Sequence, residues 1–170
     1  MDMQRRRVDP TGIDAYKPAE VARRIEEAGV AKSQLPLVPL ATLSVLAGAF
    51  IALGAAAFTA VMAGTGMTDG PARLLGGVTF SVGLILVVVA GAELFTGNAL
   101  IVMAWVDGRI RLPALLRNWG VAYAGNLAGA VSIALLMAFS GLLTNTVGET
   151  ARQIAEAKVS LGWMEAFVRG

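Results

Sequence analysis

The residues best suited to chemistry lie close together in the run Gly91-Ala92-Glu93-Leu94-Phe95-Thr96-Gly97-Asn98. Glu93 is the only charged side chain from Leu74 to Val106. A carboxylate at membrane depth is costly and by default marks function. A structural role is favoured: Glu93 accepts hydrogen bonds from amides freed by a helix break and, with Gly91, holds the loop's shape. Protonated, it could donate instead, and its state stays open. Gly97 permits backbone angles other residues avoid, and Thr96 or Asn98 can cap a following half-helix. A half-helix starting near Asn98 would carry partial positive charge at its N-terminus, which favours a negative group nearby. The bland alternative is a plain kink between packed helices.

A break is required by length. As one helix, residues 74–106 would run roughly 50 Å, against a hydrocarbon core of about 30 Å. Two half-helices meeting near 95–98 fit better. Freed backbone groups at that depth survive only inside protein or beside a wet cavity, the usual architecture of a solute pathway.

The composition agrees. The chain has 170 residues and is 56% hydrophobic, with no Asp, Glu, Lys or Arg between Lys32 and Asp69 or between Arg117 and Glu149. Such runs define an integral membrane protein in contact with lipid. The net charge is only +2, and membrane topology explains where the basic residues sit, so no nucleic-acid partner is expected. The first apolar run begins near Leu35 and is too long for a signal peptide. With no Cys and no His, disulfides, a metal site and a cofactor are not expected, nor are catalytic residues. A membrane enzyme would need a nucleophile–base pair that this sequence does not offer.

Along the chain, residues 1–34 form a polar N-terminal segment, with an amphipathic surface helix over 17–31 whose apolar face is Val21, Ile25 and Ala28. Residues 35–143 hold three spans: 37–63, the broken 72–106, and 113–142. A turn is expected over 64–71. Glycines at 125 and 129 allow close helix approach, Gly76-Gly77 reads as packing rather than a phosphate cradle, and Asn126 is expected to bond across helices. Residues 144–170 form an outer loop and, from Trp163, the start of a fourth span. Seven Lys and Arg residues precede span one, Arg109, Arg111 and Arg117 follow span two, and only Arg73 lies on the other side. The N-terminus is therefore expected in the cytoplasm of a multi-pass protein of the inner (plasma) membrane.

The run Gly91-Ala92-Glu93-Leu94-Phe95-Thr96-Gly97 resembles the signature of the formate/nitrite transporter family. Leu75–Leu84, Asn118-Trp119, Tyr123-Ala124-Gly125-Asn126 and Tyr16–Val30 extend the likeness over nearly the whole chain. The resemblance implies an all-α membrane protein: three transmembrane helices, the second broken, forming one repeat of an aquaporin-like six-helix inverted-repeat channel fold. It also implies a homo-pentamer with one pore per subunit, carrying small monovalent anions, formate or nitrite, passively or coupled to protons. Phe80 and Leu84 match apolar residues of a constriction. Leu94 and Phe95 match residues at the break, and Thr96 matches a loop threonine bonded to a central histidine. Lys158 matches an outer-vestibule lysine that attracts anions. From the residues alone the four apolar positions read as core or lipid-facing; as pore rings they would shed an ion's water.

The family's second repeat, with its histidine, has no counterpart here, so the sequence is expected to be the first half of a longer protein. Formate is favoured over nitrite. The alternatives are a three-span structural or assembly subunit that does not transport, or a half-protein needing a complementary half.

Overall fold

A computed structural model of the chain describes residues 16–65 and 70–169. Helix α1 (Pro18–Ser33) begins with Pro at its first position, carries Glu20 in the first turn and Lys32 in the last. That order suits the fixed proline angle and the helix dipole. Pro36 ends the run, because its ring excludes the preceding residues from helix. Helix α2 (Leu37–Thr65) then extends over 29 residues, about 44 Å of rise. It continues past the expected end at 63, so that of the turn expected over 64–71 residues 64–65 and 70–71 are helical and 66–69 lie outside the described residues.

Helix α3 (Gly70–Ala90) is 21 residues long and spans about 32 Å on its own. Helix α4 (Phe95–Asn98), a single 3-10 turn (Ala99–Ile101) and α5 (Val102–Val106) follow it. The break therefore lies at 91–94, one turn earlier than the 95–98 expected. Gly91, not Gly97, supplies the left-handed residue, with φ +61°. The amide of Ala92 donates to Val87 O at 3.0 Å and that of Gly91 to Val88 O at 3.2 Å, the paired bonds that close a helix on such a glycine. Gly97 sits inside the next helical turn.

Helix α6 (Leu112–Phe139) is the third long apolar helix; α7 (Thr146–Val159) and α8 (Trp163–Arg169) complete the described chain. Three helices, Leu37–Gly64, Gly70–Ala90 and Leu112–Phe139, are long and apolar enough to cross a membrane. Small residues bring them together. A Cβ on Gly54 would stand 2.7 Å from Phe80 O, and one on Gly83 2.6 Å from Phe50 O. Gly125 and Gly129 press on Ser44 and Val45 of α2 with no room for a side chain, and Gly76 packs on the Phe58 ring, whereas Gly77 meets nothing. The buried core is accordingly small, with Ala47, Ala72, Ala104 and Ala122 among its members, while Leu74, Val88, Val89 and Phe139 face outward. Apolar side chains outside and glycine and alanine inside is the pattern of helices packed in lipid.

Helix α1 docks on the protein itself. Its buried residues are Gly29 and Ser33, while Val21 and Ala28 of the apolar stripe stay exposed and Ile25 is half-buried. A Cβ on Gly29 would lie 3.2 Å from that of Ala104, so glycine lets α1 rest on the 3-10 turn and α5. Arg109 pairs with Glu26 at 3.6 Å, and Arg117 Nη1 donates to Leu35 O at 3.0 Å, tying α1 to the α5–α6 connection and the α1–α2 corner to α6. Asn145 caps α7 through the amide of Val147. Within α7, the hydrogen bond and charge of Arg152 hold the Glu149 carboxyl below its usual range.

Candidate functional site

The break leaves an extended segment whose backbone groups need partners. Glu93 N–H donates to Leu43 O of α2 at 3.2 Å. Asn126 of α6 takes two more and also reaches α2: its Oδ1 accepts from Phe95 N–H at 2.8 Å, and its Nδ2 donates to Glu93 O at 2.9 Å and to Ser44 O of α2 at 2.8 Å. The cross-helix bond expected of Asn126 is thus present three times over. The capping expected of Thr96 or Asn98 is not: the N-cap of α4 is Leu94, in extended conformation and with no side-chain cap. The restarted helix begins at Phe95 rather than near Asn98, and α6 supplies its cap.

Beneath the break lies a buried polar layer. Glu93, only 4% exposed, accepts from Lys32 Nζ at 2.6 Å and from Asn98 Nδ2 at 2.8 Å. These are side-chain donors, not the backbone amides expected, because the amides are already satisfied by α2 and α6. Asn98 also accepts from Lys32 at 3.1 Å and donates to Asn118 Oδ1 at 2.9 Å. Asn118 Nδ2 returns to Lys32 O at 3.1 Å, and Trp119 Nε1 donates to Asn98 O at 2.9 Å. Every donor and acceptor of the Asn98 amide plane is used, as a fully buried polar group requires. The ion pair between α1 and the break offsets the cost of burying a carboxylate there.

Lys32, Asn118 and Trp119 are the functional candidates that the residues alone did not yield. A signal existed for Lys32: a lone charge inside an apolar run needs a partner, and Lys32 is the last charge before span one. Asn118 and Trp119 open span three as polar residues, but nothing local says which way they point.

Above this layer is an open recess of about 440 Å³, lined by Lys32, Leu84, Glu93, Leu94, Thr96, Gly97 and Asn98, with Gly91 at its rim. The break thus gathers most of the predicted site residues. Thr96 and Gly97 are exposed to the recess. Phe95 is not in its lining; its ring packs edge-on against Trp119 and Tyr123, with centroids 6.3 and 5.6 Å away. Phe80 lies further along α3 at the Gly54 contact, and Lys158 is exposed in the last turn of α7, neither of them lining the recess. Among the described residues no cluster of metal-ligating side chains occurs.

Chemically, the recess offers the Lys32–Glu93 ion pair, the Asn98 amide, one hydroxyl and the apolar side chains of Leu84, Val87, Val88 and Leu94. It can admit a small, partly dehydrated solute; it holds no nucleophile with an adjacent base. A bundle of apolar helices with such a recess at a helix break defines an integral membrane protein of the transporter or channel class. Comparison with known proteins gives the family. The formate/nitrite transporter family model matches residues 19–170, and the chain belongs to that family.

The chain is 41% identical over 162 residues to the formate channel FocA of Escherichia coli K12, covering 93% of this chain and 57% of that protein. It is 40% identical over 178 residues to a probable formate transporter of Methanothermobacter thermautotrophicus, covering 93% of this chain and 65% of that one. Among solved structures, an FNT family ion channel superposes with a TM-score of 0.65 at 26% identity, over 72% of this chain and 50% of the other. The chain therefore spans somewhat more than half the length of the curated relatives it matches.

Proposed function

We propose that the chain forms one wall of a membrane pathway for small monovalent anions, with formate as the principal substrate. The observation that carries this reading is the recess at the break, where the Lys32 ammonium meets the apolar side chains of Leu84 and Leu94. Lys32 Nζ gives two of its three donors to Glu93 and Asn98, which leaves one N–H to offer a passing anion. Flanking leucines strip its water and favour either the neutral acid or a partly desolvated anion. Glu93 keeps Lys32 oriented rather than touching substrate. Thr96 offers a hydroxyl to the solute or to a group on a facing wall. Formate is preferred over nitrite because the relatives above carry formate in their names.

The wider arrangement follows the family resemblance: a facing inverted repeat completes each pore, five subunits assemble, the N-terminus lies in the cytoplasm, and the membrane is the inner (plasma) membrane. On this reading Phe80 belongs with Leu84 to a constriction, and Lys158 to the outer vestibule. The test is formate uptake into vesicles containing the purified protein. Wild type should pass formate and nitrite but not sulfate, and Thr96→Val should cut formate flux by about tenfold or more, the scale set by losing one hydrogen-bonding group in a site built for it. Wild-type vesicles no leakier to formate than empty ones would overturn the reading, and a neutral Thr96→Val would remove Thr96 from the pathway.

A further inference from the structure

Asn126 stands outside the recess, yet it makes an unusual set of contacts. Its one acceptor and both N–H donors bind three backbone groups, and two of those flank a single residue. Glu93 O belongs to the peptide before Leu94 and Phe95 N–H to the peptide after it, at 2.9 and 2.8 Å. The third, Ser44 O, ties the same amide to α2 at 2.8 Å. Leu94 is extended, with φ −91° and ψ 129°, the last residue of the break before the first residue of α4. Its side chain lines the recess together with that of Leu84 on α3.

Fixing both peptide planes around a residue fixes its two soft dihedrals, and so the direction of its Cβ. From these contacts we propose that Asn126 is a positioning residue for selectivity: by clamping both peptides of Leu94, it sets how far that side chain reaches toward Leu84 and hence the largest anion admitted. This inference rests on the transport reading above.

Acetate is the natural probe, since it has formate's carboxylate plus one methyl group. In Asn126→Asp the acceptor for Phe95 N–H survives, but both donors vanish and a carboxylate confronts two carbonyl oxygens. In Asn126→Ser the reach to all three groups is shortened. The measurement is the ratio of acetate to formate flux in vesicles, for wild type, each Asn126 variant, Leu94→Ala, and the double variant. The expected result is an acetate-to-formate ratio raised about tenfold, the scale of one methyl group in a tight apolar site. Leu94→Ala should raise it similarly, and the double variant should go no further than Leu94→Ala.

An unchanged ratio in Asn126 variants that conduct would overturn the proposal. So would full additivity with Leu94→Ala, since Asn126 would then act elsewhere. If neither Asn126 variant assembles or conducts while Leu94→Ala does, Asn126 is a folding residue only and the proposal fails. Wild type passing no formate would defeat the transport reading itself, a result distinct from all of these.

Discussion

At the scale of single residues, the ion pair between Lys32 and Glu93 is the contact with most at stake. Breaking a buried pair from one side strands a charge and costs roughly 3–5 kcal/mol. The side chain of Lys32 is 35% exposed, which places Lys32→Met and Glu93→Gln toward the lower end of that range. Each should lower the melting temperature of the purified protein, and Lys32→Met combined with Glu93→Gln should cost less than the sum of the two. Strict additivity in that cycle would mean that the pair does not interact. The two glycines of the signature should behave oppositely. Gly91→Ala forces a Cβ into a left-handed conformation at about 1–2 kcal/mol, although space around it is open. Gly97→Ala, inside a helical turn with nothing within 4 Å of the added carbon, should be neutral or stabilising by about 0.5–1 kcal/mol. Thermal melts of the two variants would separate them, and equal destabilisation would contradict the geometry.

The same two glycines show where reading the sequence succeeded and where it stopped. Long uncharged runs flanked by charge were enough to reveal three spans, because lipid leaves little choice about where charge can sit. The mismatch between the 74–106 run and the membrane thickness was enough to require a break. Its position was a choice between Gly91 and Gly97, which look alike in sequence and differ only in which one the end of α3 meets first. Asn126 could be read as a cross-helix bonder but not as the cap of α4, and Lys32 could be noted as the last charge before span one but not paired with Glu93, which lies 61 residues away in sequence. Contacts of that range depend on α1 folding back over the bundle, and the glycine that permits it, Gly29, carries no signal of its own. Phe95 had the opposite fate: its place in the signature suggested the pathway, but neighbouring Trp119 and Tyr123 draw its ring away. At this scale of elements, Gly129→Leu should separate α2 from α6, since a Cβ there already meets Val45 and Ala49. The expected result is loss of folded protein in detergent, and a normal melt would show that the helices do not approach so closely.

For the molecule as a whole, the chain is one layer of apolar helices with polar chemistry confined to the break and to the two ends. The orientation proposed from where Lys and Arg fall is easy to test, because the sequence has no cysteine. In intact cells, Lys17→Cys should resist a membrane-impermeant thiol reagent added outside, whereas Ser160→Cys, exposed after α7, should react. The reverse pattern would invert the topology. The central claim is that solute passes through the recess at the break, and the most direct test is to fill that recess. Leu84 is exposed on α3, so Leu84→Trp should fold and reach the membrane while its indole occupies the space beside Lys32 and Leu94. Formate flux into vesicles carrying this variant should fall to the level of empty vesicles. Wild-type flux through Leu84→Trp would place the pathway elsewhere and contradict the account.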